Sequence, residues 1–596
     1  MILKEKNYKI VDFIIIPFLG APFLTVMKVL DSIINAFIPT ITALATASFI
    51  DTGMEIFDGT KETKDILLSL FVLIMVISYK YLDVAWMSFV DSKITINLSE
   101  SFRVEIIKKR AKLQYQHIEN DTTWELVSRV CSDPVKRIFD GFDNIMRLIK
   151  MIIQIASLLA LLFTHAWWAS LIIIAFSIPL FYVSIKGGKT NYDALKDATR
   201  NERKAKYLSG ILSSRENVEE RSLFGYSNQI NEKWYKEFEI ARKIKLVVEA
   251  KNFVRMKGAS LITVLISFLI SLILLLPLGN GNITIGIYIG FITATLNMVQ
   301  MVSFDLSYVT SEIANAREYF RDLSCFSKLS EEEGALDLPC SSSIQFESLE
   351  FKNVSFKYPN TEKLVLDNCS FVIRKNMNYA FVGTNGAGKT TITKLLTGLY
   401  REFDGEILLN GQNIRMYSQA ELKAIFSVVF QDFAKYSISV KDNILLGNVN
   451  NRNCVSVEKA IDTLELNGKI EKLPNGIESY LGKIKEGGVD LSGGEWQKIA
   501  IARLLVSEAL ISILDEPTAA LDPMAEANVY EMFRRVSQNK TVIFITHRLG
   551  AARLADRIFV LDCGKVSEQG THDELMHKDG IYAEMFEAQK GWYVNE

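Results

Sequence analysis

The sequence predicts a two-part chain: an N-terminal all-α domain of six membrane-spanning helices with cytosolic helical stalks, followed by an α/β domain built around a phosphate-binding loop. Three observations carry this reading. Apolar runs long enough to cross a bilayer occur at about 21–50, 66–87, 145–164, 166–185, 259–278 and 283–309. From residue 344 onward the pattern changes to short strands, among them Ile344-Gln345-Phe346 and Val354-Ser355-Phe356-Lys357-Tyr358. Finally, the apolar strand 379–382 runs directly into Gly383-Thr384-Asn385-Gly386-Ala387-Gly388-Lys389-Thr390, and a helical stretch beginning at Thr391 follows.

A chain of 596 residues has room for more than one domain. It is 49% hydrophobic yet 23% charged, so the two kinds of residue are expected to be segregated along it. A net charge of −2 gives no hint of a nucleic-acid partner, and none is expected. Six scattered cysteines (Cys131, Cys325, Cys340, Cys369, Cys454, Cys563) show no metal-ligand spacing and read as reduced thiols.

Taken in order, the apolar character begins after Lys9 and is interrupted by Pro22 and Pro39, which is too long a run for a secretory signal. Residues 10–19 read as an interfacial elbow and 21–50 as the first span. The connections alternate: 51–65 is short and mainly acidic, only His165 or so separates the third and fourth runs, and 279–282 is uncharged. By contrast, 91–139 and 186–257 are long and rich in Lys and Arg. Basic loops stay in the cytosol, so a multi-pass protein of the cell membrane is expected, with both termini and the second domain cytosolic. Helical periodicity in the long segments predicts stalks that turn back near 120–133 and 215–225.

The last run places Thr293, Asn297 and Gln300 on one face, with Ser303 and Asp305 beyond. Such a face points to a bundle interior or a wet cavity. Lys28 and Asp31 are spaced to pair with each other, to face that cavity or to snorkel. The polar stretch 330–343 reads as a linker, giving domains 1–329 and 344–596.

In the second domain the glycines let backbone N–H groups curl round a polyphosphate, Lys389 reaches its terminal phosphates, and Thr390 is placed to ligate Mg²⁺. Tyr358 is placed to stack on a base, although an aromatic at a strand end is more often core. Val428-Val429-Phe430-Gln431 closes a strand on an amide able to touch Mg²⁺ or its water. Leu491-Ser492-Gly493-Gly494-Glu495 opens an amphipathic helix; Ser492 and Glu495 fit a capping box, and the same uncovered N–H groups suit a second face for a phosphate. Leu510-Ile511-Ser512-Ile513-Leu514-Asp515-Glu516 delivers two acids, one to hold Mg²⁺ and one to polarise water. Val542-Ile543-Phe544-Ile545-Thr546-His547 ends in an imidazole able to hold a γ-phosphate oxygen.

In this order, these motifs resemble the nucleotide-binding domain of ATP-binding cassette (ABC) transporters from about residue 344 to the C-terminus. With the six-run N-terminal half, the chain resembles a half-transporter of the exporter-type (type IV) fold. The resemblance implies a Walker A loop at Gly383, Thr384, Asn385, Gly386, Ala387, Gly388, Lys389, Thr390 and Thr391, and a Q-loop at Gln431. It also implies the signature at Leu491 to Glu495, a Walker B strand ending at Asp515, the catalytic base Glu516, a D-loop at Ala520-Leu521-Asp522 and the switch His547. It further implies ATP and Mg²⁺ as cofactors, coupling helices in 120–133 and 215–225, and a dimer in which one subunit's signature closes the other's site. Intact Glu516 and signature favour a homodimer over a pairing with a degenerate half-transporter.

Two departures stand out. Leu481-Gly482-Lys483-Ile484-Lys485-Glu486-Gly487-Gly488 replaces the usual segment before the signature, and Ala519 stands where Ser is commoner. The stretches 430–436 and 491–500 are similar to bacterial peptide and bacteriocin exporters, without the N-terminal cysteine protease domain some of those carry, since the first cysteine is Cys131. The expected function is ATP-driven export of a peptide, lipid or amphipathic molecule by alternating access. The alternatives are a siderophore-type importer on the same fold and a membrane ATPase that signals. A soluble chromosome-maintenance ATPase would need a coiled coil where the sequence has none.

Overall fold

The computed structural model describes residues 2–214, 217–281, 283–301, 305–340, 345–450, 454–483, 487–516 and 540–594, and side chains at most positions of 172–199 are outside that description. The chain forms two compact units, residues 1–110 with 125–329 and residues 111–124 with 330–596. The short segment 111–124, which hydropathy assigns to the first part, thus packs with the second.

The first unit is helical. Its long helices are Pro22–Phe57, Ile66–Leu98, Pro134–Ser213 and Ser227–Ile273, followed by Ile285–Gln300 and Leu306–Ser327. Pro22 opens its helix at the position where a missing N–H costs nothing. Among the described residues, Pro22–Phe57, Ile66–Lys112 and Pro134–Thr164 are long and apolar enough to cross a membrane, and Ser267–Gly279 and Ile285–Asn297 are shorter apolar helices. The run expected at 166–185 falls where most side chains are outside the description. Of the run expected at 283–309, Ile285–Gln300 is α-helical, residues 301 and 305 are in π-helical turns and Leu306–Ser327 is α-helical, with 302–304 outside the description.

Pro134–Ser213 is helical throughout, yet it is not straight. Ser170 Oγ donates to the carbonyl of Leu159 at 3.1 Å, whereas a straight helix would hold residues so spaced roughly 16 Å apart. The run therefore folds back on itself close to the break that His165 predicts.

Small residues let helices of this unit approach. A Cβ added at Gly290 would lie 3.0 Å from the Ala43 carbonyl, and one at Gly286 would collide with that of Ala47. Gly286 and Gly290 thus seat the helix Ile285–Gln300 directly on Pro22–Phe57. Asp51 completes the joint, accepting from the Gly286 amide at 2.8 Å and from the Thr284 hydroxyl at 2.6 Å. An acid at a helix N-terminus also complements the helix dipole. Outward, Leu68 (73% exposed) and Phe71 (60%) leave an apolar surface that suits lipid.

The second unit holds two sheets. β1 (Ser348–Phe356), β2 (Leu366–Arg374), β4 (Asp404–Leu409) and β5 (Gln412–Asn413) form an antiparallel sheet in the order β2-β1-β4-β5. β3 (Asn378–Gly383), β6 (Phe426–Val429), β7 (Ile511–Asp515), β8 (Thr541–Ile545), β9 (Arg557–Asp562) and β10 (Lys565–Gly570) form the other, in the order β10-β9-β3-β8-β7-β6. All its neighbours are parallel except β10 on β9.

β7 and β8 are buried along their whole length, as expected of parallel strands covered on both faces. Side chains alternate along β3: Tyr379 and Phe381 enter the core shared with the antiparallel sheet, and Ala380 and Val382 pack with Leu549 and Tyr582. Fully burying a side chain such as Phe381 contributes about 1.5–3 kcal/mol. This core fixes the sheet and therefore its carboxyl edge, where ligands of open α/β sheets bind.

Candidate functional site

Four parallel strands deliver the predicted residues to that edge. β8 lies between β3 and β7, and β6 lies beyond β7. Gly383 ends β3, Asp515 ends β7, His547 stands two residues past β8, and Gln431 two residues past β6. The register pairs Phe381 with Ile545 and Ile545 with Asp515, so the glycine loop, His547 and the acid pair share one edge.

After β3 the loop needs glycine at defined places. Gly388 has φ +99°, and a Cβ there would lie 2.7 Å from Leu366 Cδ2 and 3.0 Å from the Val365 carbonyl. Any side chain would push the loop off the antiparallel sheet. The helix Lys389–Leu396 begins immediately. Lys389 is buried, and its amine donates to the carbonyls of Gly383 at 2.8 Å and Thr384 at 3.0 Å. Burial pulls its pKa below the ordinary lysine value, opposed by the negative charges of Glu516 and Asp515.

Asp515 is 1% exposed, and neither carboxylate oxygen has a protein hydrogen bond of good geometry. Its pKa is pushed up to about 6, chiefly by burial and further by the Glu516 charge; the neighbouring Thr390 hydroxyl pulls the other way. A buried carboxylate with both oxygens free, beside a hydroxyl, is a donor set that fits a hard divalent cation.

Glu516 occupies the left-handed region at φ +48°, a conformation costing a non-glycine residue roughly 1–2 kcal/mol. Its amide is held by the Ile545 carbonyl at 2.9 Å, and its Oε1 lies 3.2 Å from His547 Nδ1. The strain turns the second acid of the pair out of the strand and toward the imidazole. Asp515 remains inside.

Tyr358 is half-buried, and its hydroxyl shares a hydrogen bond with Thr391 Oγ1 at 3.0 Å. Its ring stands edge-on to Phe356 and Tyr400. Gln431 is exposed.

The signature forms a separate structure. Ser492 caps the helix Gly493–Leu505, and the reciprocal box with Glu495 is complete. Glu495 also pairs with Lys469 at 3.0 Å. Trp496, Ile499 and Ala500 enter a core with Val457, Ile461 and Leu464, while the helix of the glycine loop is rooted in the other core through Ile392 and Leu395. Gly493, Gly494 and the glycine loop thus stand on different supports. The D-loop residues Ala520, Leu521 and Asp522 lie outside the described residues.

Sequence reasoning missed Arg503. Its guanidinium donates to the carbonyls of Asn443 at 3.1 Å and Ala434 at 2.9 Å and lies over the Tyr436 ring at 5.0 Å. It ties the signature helix to the segment after Gln431, and it lines a groove of 540 Å³ with the exposed rings of Phe430 and Tyr436 and with Leu446.

In the helical unit the predicted polar face lines a cavity of 730 Å³. Thr293, Asn297 and Asp305 are there with Asp83, Arg147, Lys150 and Gln154. The Gln300 side chain and Ser303 lie outside the described residues. Lys28 does not pair with Asp31. It bridges Asp91 at 2.6 Å and Asp143 at 2.9 Å, on two other helices, while Asn35 donates to Asp31 at 2.7 Å and to Asp83 at 2.8 Å. Spacing within one helix offered Asp31, but a buried amine reaches across the bundle to the acids that leave it fully paired. Both Lys28 and Asp31 line a second cavity of 750 Å³ with Asp91 and Asp143. Among the described residues, Cys131, Cys325, Cys369 and Cys563 form no disulfide.

Comparison with known proteins agrees with this geometry. The ABC transporter transmembrane region matches residues 22–302, and the ABC transporter domain matches residues 366–519. The chain is 28% identical over 575 residues to the subtilin transport ATP-binding protein of Bacillus subtilis, covering 95% of this chain and 91% of that one. It is 27% identical to the nisin transport ATP-binding protein of Lactococcus lactis subsp. lactis, over 84% of each chain. It is also 27% identical to the ATP-dependent lipid A-core flippase of Xanthomonas oryzae, over 82% of each chain. A bacterial Atm1-family ABC exporter with ATP bound shares the fold, with a TM-score of 0.78 at 23% identity over 94% of this chain and 98% of that one. The chain belongs to the ABC transporters, as an exporter-type half-transporter that couples an ATPase domain to a transmembrane region.

Proposed function

We propose that this protein exports an amphipathic cargo, a peptide or a lipid, from the cytosol at the expense of ATP. The observation that carries this is the 730 Å³ cavity, whose wall mixes Asp83, Arg147, Lys150 and Asn297 with Ile38, Val76 and Met151 inside a helical membrane unit. A wall of charged and apolar patches suits a molecule that is itself both. The relatives named for transport of subtilin and nisin and for flipping lipid A-core point the same way. The basic segments 91–139 and 186–257 support a cytosolic ATPase domain.

In this reading Lys389 and the loop amides hold the phosphates of ATP, Tyr358 stacks on the base, and Glu516 takes a proton from the attacking water while His547 holds Glu516 and the γ-phosphate oxygen. Thr390, Gln431 and Asp515 would hold Mg²⁺, which when bound neutralises charge on the β- and γ-phosphates. The signature residues Ser492, Gly493, Gly494 and Glu495, mounted on a different core, serve the glycine loop of a second copy of the chain. ATP drives the cycle because it binds the closed pair better than the open one.

Proteoliposomes given ATP outside test the direction, since only outward-facing ATPase domains are then fuelled. A fluorescent cationic amphipathic peptide or lipid should accumulate inside or move to the inner leaflet, at a rate roughly tenfold or more above Glu516→Gln. ATP-dependent loss of probe from the lumen would identify an importer instead.

The pairing of two copies has its own test. The helix Val218–Phe224 exposes Leu223 (78%) and Phe224 (70%), an apolar pair suited to meet a second copy of the chain. Replacing Leu223 and Phe224 by Asp should cut ATP-driven uptake about tenfold or more, with nucleotide affinity of the glycine loop within roughly twofold of the parent. Undiminished uptake would remove this contact from the mechanism.

A further inference from the structure

Five side chains close a cluster behind the glycine loop. Lys394, on the helix Lys389–Leu396, donates to Glu119 Oε1 at 2.7 Å. Its amine lies 5.0 Å from the ring centre of Tyr358 and 5.3 Å from that of Tyr115, so it is held between two aromatic faces. Tyr400 donates to the other Glu119 oxygen and stands edge-on to both tyrosines, with ring centres 5.6 Å away in each case. Burial works against the charge of Lys394, but the Glu119 hydrogen bond and the tyrosines outweigh it and raise its pKa above the ordinary value.

The cluster joins two parts of the chain with different duties. Tyr115 and Glu119 are the first and last residues of the short helix Tyr115–Glu119, which packs with the ATPase unit although the chain on either side of 111–124 belongs to the membrane unit. The sequence placed the turn-back at 120–133; the segment that touches ATPase residues lies just before it. Tyr358 is the proposed base platform, and Thr391, which holds its hydroxyl, is next to Thr390. Lys394 therefore touches the base end of the nucleotide site on one side and the entry to the membrane helices on the other.

We propose that Lys394 is a positioning residue that reports nucleobase docking on Tyr358 to Glu119, so that occupancy of the base end, separately from the phosphates, sets the position of the segment leading into the membrane unit. The physical basis is shared valence. A base stacked on Tyr358 fixes that ring, the ring fixes the cation lying over it, and a charge-assisted hydrogen bond passes the restraint to Glu119. Phosphates alone engage Lys389 and the loop amides and leave Tyr358 unloaded. This rests on the reading of the chain as an ATP-coupled transporter.

Hydrogen exchange followed by mass spectrometry tests it on the full chain in nanodiscs, in a Glu516→Gln background so that nucleotide is not consumed. ATP should slow exchange across 104–131 by roughly threefold or more, whereas inorganic tripolyphosphate should protect 383–391 and leave 104–131 unchanged. Adding Glu119→Gln should abolish at least about half of the ATP effect at 104–131 while 383–391 stays protected, as should Lys394→Met, whereas Lys394→Arg, which keeps a cation over Tyr358 and a donor to Glu119, should retain it. The proposal is overturned if tripolyphosphate acts as ATP does, if Glu119→Gln or Lys394→Met leaves the effect intact, or if Lys394→Arg abolishes it. An ATP effect absent from 104–131 but present at 383–391 would likewise overturn the proposal, whereas ATP protection absent from both would refute the nucleotide-site reading on which it rests.

Discussion

Glu516→Gln should lower kcat for ATP hydrolysis by about 10²–10⁴-fold, the range lost when a positioned general base is removed, and leave nucleotide affinity within roughly threefold. The substitution keeps the size of the side chain and its hydrogen-bonding reach, so the left-handed turn at φ +48° and the amide bond to Ile545 survive. What it removes is the capacity to take a proton. The carboxylate stands at the surface end of the acid pair, 3.2 Å from His547 Nδ1, where it can meet a water. Asp515 is enclosed and cannot replace it. Steady-state hydrolysis and filter binding of labelled ATP separate the two effects. Turnover within tenfold of the parent would mean that another group activates the water, and an affinity loss of tenfold or more would make Glu516 part of the binding site. Because ATP then persists, paired copies should also accumulate, visible as a doubling of mass by light scattering.

The sequence made the nucleotide edge readable because each of its residues closes a strand, and strand ends are marked by abrupt changes of residue type. Gly383 after 379–382, Asp515 after Ile511-Ser512-Ile513-Leu514 and His547 after 542–546 are such changes, and a parallel sheet brings strand ends together whatever their separation along the chain. The polar face of Thr293 and Asn297 was readable for a similar reason, since helical period alone sets it.

Contacts between distant segments were not readable. Glu119 meets Tyr400 across 281 residues, from a helix of five residues too short to show any period. Lys28 could be assigned a partner only from its own helix, although Asp91 and Asp143 hold it. One signal was present and unused: Gly286 and Gly290, four apart in an apolar run, mark a close helix contact, and Ala43 and Ala47 are its other half.

Asp515→Asn separates the demands of binding from those of folding, because the two act on this residue with opposite sign. The carboxyl is enclosed, both of its oxygens lack a protein hydrogen bond of good geometry, and its pKa is pushed up to about 6. An acid whose folded pKa exceeds its unfolded value near 3.9 holds more protons when folded, so stability falls as pH rises from about 4 to about 6 and stays lower above that. At pH 7 the ionised side chain costs the nucleotide-free protein about 3 kcal/mol at most. The neutral amide avoids this. Without nucleotide, the variant's unfolding midpoint at pH 7 should therefore rise by about 2–4 °C, and the gain should vanish at pH 4, where the parent carboxyl is protonated. With ATP and Mg²⁺ the order reverses, since an amide holds a divalent cation far less well than a carboxylate. Hydrolysis should fall by about 10²-fold or more, and the stabilisation that Mg²⁺ adds to ATP should shrink in the variant but not in the parent. Below pH 6 the parent should itself lose Mg²⁺-dependent affinity, as proton and cation compete for the same oxygens. A variant less stable than the parent at pH 7 without nucleotide would show that Asp515 is held by its neighbours rather than opposed by them. Its proposed role as the cation's carboxylate would then lose its structural basis.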